Sequence, residues 1–103
     1  MSSYGNSGQL GYSSSKSAIE IGTKVLSKEF GQLGIRANSI APGFIESESM
    51  RENMSEKSIK NIIRKTSLKK LGNSHDLYHV IKMLINCDFI NGQVIRVDGD
   101  LLL

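Results

Sequence analysis

The chain has 103 residues, 39% of them hydrophobic and 22% charged, with a formal net charge of +3. That length accommodates one small domain, and the balance is that of an ordinary soluble globular protein somewhat light in apolar residues. No run of about 18 apolar residues is present, which argues against a membrane-spanning helix, and the basic residues form no single block of the kind a nucleic-acid partner needs.

The opening, Ser2 to Gly11, is rich in Ser, Gly and Asn and reads as loop. It has no basic stretch followed by an apolar core, so it is not a signal peptide. From Tyr12 to Phe30 the pattern becomes helical, with Ala18, Gly22, Val25, Leu26 and Leu33 recurring at helical spacing and Gly31 and Gly34 as the stop. Ile35 to Ala41 reads as a strand, closed by a turn at Pro42 and Gly43.

Phe44 to Ser67 is polar, with Met50, Met54, Ile59, Ile62 and Ile63 scattered through it, and reads as a loop with one or two modest helices. Arg51, Lys57, Lys60, Arg64, Lys65, Lys69 and Lys70 are interleaved with Glu52 and Glu56, as on a solvated helical face. Ser74 has the look of an N-cap, with Asp76 in the first turn. Leu77, Val80, Ile81, Leu84 and Ile85 then mark the cleanest amphipathic helix. Asn91 and Gly92 make a turn, and Val94 to Val97 a second strand.

Strand, crossover and strand make a right-handed unit with parallel strands. Parallel sheets have several strands with both faces covered, and two short strands leave edges open. The pattern is therefore one end of a larger α/β sheet.

Chemistry is concentrated in Tyr12-Ser13-Ser14-Ser15-Lys16. Residues four apart share one helix face, so the phenol and the ammonium stand one turn from each other. A free tyrosine, with a pKa near about 10, passes protons poorly at neutral pH. A cation within about 4–6 Å stabilises the phenolate, and the positive end of the helix dipole acts in the same sense. Such a pair suits proton transfer to or from a carbonyl or carbinol oxygen.

The surrounding segments are equally distinctive: Gly5 to Gln9 before the tyrosine, Gly34 to Ile45 after it, then Asn91-Gly92-Gln93-Val94-Ile95 and Val97-Asp98-Gly99. In this order and spacing the chain resembles the classical short-chain dehydrogenase/reductase family, most closely its 3-oxoacyl-(acyl carrier protein) reductase-like members. The resemblance covers essentially the whole chain. It implies the C-terminal portion of a Rossmann-type doubly wound parallel sheet, as a single partial domain over residues 1–103, with residues 46–67 as a substrate lid.

The activity implied is hydride transfer between NAD(P)H and a carbonyl or alcohol substrate, with NADPH and a 3-oxoacyl thioester of fatty acid biosynthesis favoured. By the resemblance, Tyr12 would protonate the ketone oxygen, while Lys16 would tune Tyr12 and hold the nicotinamide ribose. Pro42 and Gly43 would shape the turn beside the cofactor. Ile45 would meet the nicotinamide carboxamide through its backbone, and Ser47 would keep a hydroxyl where the family usually has Thr. The family further implies a cytoplasmic homo-oligomer, commonly a homotetramer, acting on small-molecule or acyl-thioester substrates, with neither nucleic acid nor membrane as partner.

Several features depart from the family pattern. Ser2 and Ser3 echo its Ser-Ser pair but stand ten and nine positions before Tyr12, closer than the family's catalytic serine. They are candidates if the intervening loop is shortened, and loop serines otherwise. The glycine-rich phosphate loop is absent, and the Gly5, Gly8, Gly11 series does not replace it because no strand precedes it. Without that half, an alternative reading is a truncated, non-catalytic remnant acting as an interaction module. Asp100 stands where the family closes on a second Gly.

His75 and His79 share a helix face but have no visible third ligand, so no metal is expected. Cys87, the single cysteine, reads as a bystander near a helix end, in keeping with a reducing cytoplasm.

Overall fold

The computed structural model describes residues 9–101, with side chains from residue 14 onward. Ser2, Ser3 and the glycine-rich opening through Gly8 lie outside the described residues. Six elements follow in order: α1 (Gln9–Gly31), β1 (Ser39–Pro42), α2 (Glu48–Asn53), α3 (Glu56–Lys65), α4 (Ser74–Asn86) and β2 (Val94–Val97). β1 and β2 pair in one sheet. Ser39 N–H donates to the Gln93 carbonyl and Gly43 N–H to the Val97 carbonyl, each at 2.9 Å. The register advances in the same direction on both strands, so they are parallel as expected. The fold is α/β.

The chain forms two compact units, one from its start to Ser39 with Asp88–Val94, the other Ile40–Cys87 with Ile95 onward.

In the first unit α1 begins at Gln9, three residues before the expected start, so Gln9 to Gly11 is helix and not loop. The helix ends as expected: Leu33 N–H and Ile35 N–H both donate to the Phe30 carbonyl, and Gly34 takes a left-handed φ of +80°.

The inward face of α1 corrects the sequence reading. Val25, Leu26 and Leu33 are exposed, whereas the buried positions are Thr23 and Ser27. The hydroxyls need no outside partner, since Thr23 Oγ1 donates to the Ile19 carbonyl at 2.7 Å and Ser27 Oγ to the Lys24 carbonyl at 2.9 Å. Small side chains let the helix approach closely: a Cβ on Gly92 would lie 2.6 Å from Ser27 Oγ. The apolar row found from the sequence is real, but among the described residues its Val25, Leu26 and Leu33 stay exposed.

The expected strand Ile35–Ala41 is shorter, starting only at Ser39. Side chains take over the role of ladder partner before it. Ala37 N–H donates to Asn91 Oδ1 at 2.9 Å, and Gly92 N–H to the Ala37 carbonyl at 2.9 Å. Asn38 Nδ2 donates to the Ile90 carbonyl and its Oδ1 accepts from Gln93 N–H.

In the second unit the excursion after β1 contains two short helices. Ser47 caps α2 by accepting Met50 N–H, and Ser55 caps α3 by accepting Ser58 N–H, each at 3.1 Å. Ile59 of α3 is the one buried large apolar residue among the described residues. The excursion is fastened at both ends. Ile45 forms a parallel bridge with Gly72, and Thr66 an antiparallel bridge with Leu101.

At α4 the cap is Asn73, not Ser74. Asn73 Oδ1 accepts Asp76 N–H at 3.1 Å while Asp76 Oδ2 accepts Asn73 N–H at 2.8 Å, a reciprocal capping box. Asp76 serves the helix start through this bond as well as through its charge. Leu77, Val80 and Leu84 are half-buried, whereas Ile81 and Ile85 on the same stripe are exposed. Cys87 is the exposed C-cap of α4.

Candidate active site

The first set of predicted site residues is carried by α1. Position 12 lies in the first turn and position 16 one turn later, so the Tyr-x-x-x-Lys spacing falls wholly on regular helix. At about 100° per residue, positions 12, 16, 23 and 27 share one row of α1. Thr23 and Ser27 on that row are buried, and Lys16 is half-buried.

The second set is consecutive. Pro42 ends β1, Gly43 continues the pairing through Val97, and Ile45 and Ser47 follow. Gly43 is more than a turn residue. A Cβ there would lie 2.8 Å from both Cα and Cβ of Asp98, so only glycine lets the chain pass the end of β2. Asp98 is itself held: its Oδ2 accepts from Arg96 Nη2 at 2.6 Å and its Oδ1 from Asp100 N–H at 3.0 Å.

The bridge at Ile45 decides where its backbone points. Glu46 N–H donates to the Gly72 carbonyl at 2.8 Å, and Gly72 N–H donates to the Phe44 carbonyl at 3.0 Å. In this pairing Gly72 makes both bonds, while the N–H and C=O of Ile45 point to the other side of the strand. That donor–acceptor pair has the chemistry a carboxamide requires. Ser47 Oγ accepts the cap bond, which leaves its O–H and a second lone pair available. Arg51 is paired with Glu46 at 2.9 Å beside these residues.

Three positions that matter here received no individual role from the sequence. Gly72 sits in a polar stretch with no motif, yet it governs the Ile45 backbone. Asn91 was legible as a turn residue only, but its side chain bonds Ala37 N–H and the Ser27 carbonyl. Asn38 holds the entry to β2. The long sequence separation of these partners hides them from any local pattern.

The ring centroids of His75 and His79 are 6.5 Å apart. Among the described residues no group of three or more His, Cys, Asp or Glu side chains gathers in metal-binding reach. No helix there is long and apolar enough to cross a membrane.

A parallel βαβ pairing with a Tyr-x-x-x-Lys helix before it and a Pro-Gly turn after the first strand defines a class. The chain belongs to the short-chain dehydrogenase/reductase family and carries the C-terminal portion of its Rossmann-type fold. The family model described as enoyl-(acyl carrier protein) reductase matches residues 1–100.

Within the family the chain is most like the 3-oxoacyl-[acyl-carrier-protein] reductases. It is 36% identical to that of Thermotoga maritima, covering 97% of this chain and 41% of the relative. It is 38% identical to that of Rickettsia conorii, covering 96% and 42%. The chain thus spans about two-fifths of the length of these relatives.

Among solved structures, a 3-oxoacyl-[acyl-carrier protein] reductase from Brucella melitensis superposes with a TM-score of 0.79 at 31% identity, covering 89% of this chain and 35% of that one. A 4-hydroxyisoleucine dehydrogenase mutant complexed with NADH and succinate gives 0.74 at 37% identity, covering 86% and 38%. A small-chain dehydrogenase in complex with NADPH gives 0.71 at 31% identity, covering 82% and 39%.

Proposed function

We propose that this chain supplies the proton-transfer and substrate-side portion of an NAD(P)H-dependent carbonyl reductase acting on 3-oxoacyl thioesters. The observation that carries the reading is the placement of positions 12 and 16 one turn apart on α1, in a chain most similar to 3-oxoacyl-[acyl-carrier-protein] reductases. The family description names an enoyl reduction, but the relatives' names and the suitability of a phenol–ammonium pair for a carbonyl oxygen favour ketone reduction.

In this reading the nicotinamide, when bound, supplies the hydride to the carbonyl carbon. Tyr12 donates its phenolic proton to the oxygen as negative charge develops there. Lys16 stabilises the resulting phenolate and holds ribose hydroxyls. Ile45 holds the carboxamide through its backbone N–H and C=O, with the Ser47 hydroxyl as a further donor. Gly43 keeps the approach open and Pro42 sets the turn. Residues 46–67 cover the substrate as a lid whose Met50, Met54 and Ile62 offer apolar contacts. Ser2 or Ser3 would orient the substrate oxygen. The reading extends to a cytoplasmic homo-oligomer with a small acyl-thioester partner.

A second reading, a non-catalytic interaction module, draws on the exposed apolar residues of α1, Ile21 and Val25 among them.

The two readings separate in one experiment. The chain is joined behind the part of the Thermotoga maritima relative that it does not match, and NADPH oxidation is followed with a 3-oxoacyl thioester. The catalytic reading expects turnover that Tyr12→Phe lowers by about 10²–10⁴-fold, the range of general acid catalysis. Turnover unchanged in Tyr12→Phe would overturn the role of Tyr12, and an inactive but folded, ligand-free chimera favours the interaction module.

A further inference from the structure

We infer that Gly72 is a positioning residue for cofactor binding: its peptide fixes the strand so that the N–H and C=O of Ile45 face the nicotinamide carboxamide. The inference rests on the cofactor role proposed for Ile45 and adds what sets its geometry.

Three observations carry it. Gly72 makes both hydrogen bonds of the bridge, accepting from Glu46 N–H at 2.8 Å and donating to the Phe44 carbonyl at 3.0 Å. A peptide bonded on both flanks of Ile45 cannot rotate without breaking one of the two, so the direction of the Ile45 groups is set from Gly72. No hydrogen bond engages the Ile45 N–H or C=O among the described residues.

The role lies in the peptide of residue 72 and not in its lack of a side chain. A Cβ there would stand 2.7 Å from Ile45 Cδ1, the far end of a side chain that can move aside, and at ordinary contact distance, 3.7 Å, from the Phe44 carbonyl oxygen. Its φ is not in the left-handed region, so backbone conformation does not demand glycine either. The bridge is further tied to α4, because Asn73 next to Gly72 is the cap of that helix. The strand at Ile45 and the start of α4 are therefore joined through a single peptide.

The test uses the chain labelled with nitrogen-15. In the absence of ligand the amides of Glu46 and Gly72 should be protected from hydrogen exchange and that of Ile45 should exchange freely. Gly72→Pro, which removes the N–H bonded to the Phe44 carbonyl, should release Glu46 while leaving α3 protection around Ile59 intact. Reduced nicotinamide mononucleotide should then shift the Ile45 amide saturably in the original chain, and ribose 5-phosphate should not. Gly72→Pro should weaken that response by about three- to tenfold, the worth of one hydrogen bond.

Unchanged Glu46 protection in Gly72→Pro overturns the positioning role itself. Lost protection with an Ile45 amide that ignores the mononucleotide in both chains overturns the cofactor reading and, with it, the role built on that reading. A response equal in both chains, with protection lost, shows that the bridge is structural only and also overturns the inference.

Discussion

Ser27 of α1 occupies the space that a side chain at Gly92 would need: a Cβ on Gly92 would lie 2.6 Å from Ser27 Oγ and 3.2 Å from its Cβ. Gly92 also has a φ of +72°, so glycine is demanded there by backbone conformation and by packing at once. The neighbouring Asn91 side chain then reaches the Ser27 carbonyl at 3.3 Å and Ala37 N–H at 2.9 Å. One turn thus fastens α1, the segment before β1 and the start of β2.

Gly92→Ala is expected to destabilise the first unit by about 2–4 kcal/mol, combining the left-handed penalty with overpacking. Urea unfolding of the purified chain measures it. Adding Ser27→Gly should restore part of the loss, because it removes the collision and leaves the φ penalty. A double variant no better than Gly92→Ala alone would show that packing against Ser27 contributes nothing.

At the start of α4, Asn73→Ala should cost about 1 kcal/mol, the usual worth of a cap side chain, with faster amide exchange in the first turn. Ser74→Ala should be close to neutral, since Ser74 is the first helical residue and not the cap. Equal losses at the two positions would contradict the observed capping box.

Asp100 has a φ of 59°, the left-handed region in which an L side chain is crowded. The bond from its N–H to Asp98 Oδ1 supports the turn and survives removal of the side chain. Asp100→Gly should therefore stabilise the chain by about 0.5–1 kcal/mol, read as an upward shift of the unfolding midpoint. The glycine usual in the family at this place is explained by the backbone, independently of any charge.

The extent to which the site was legible varies by residue. Tyr12 and Lys16 were readable because helical spacing is a local property and the structure extends the helix through both. Pro42 and Gly43 were readable as a turn, but the collision that makes Gly43 obligatory comes from Asp98, far along the chain. Gly72 was not readable at all, because its importance lies in the two bonds it makes around Ile45. Asn38 and Asn91 fall between these cases: one was read as strand and the other as turn, and only the fold showed their amides replacing strand partners.

The amino-acid sequence by itself determined the element types, the family and the one-turn spacing of Tyr12 and Lys16, because periodicity, Gly and Pro punctuation and motif spacing act over a few residues. It also disclosed that two short parallel strands are one end of a larger sheet. Tertiary structure alone decided which face of α1 is buried. The periodic row pointed to Val25 and Leu26, yet Thr23 and Ser27 face inward, because close approach to the Gly92 turn favours small self-bonded hydroxyls over bulk. It also decided the direction of the Ile45 peptide, since a bridge is a contact between distant segments and leaves no trace in either one read alone.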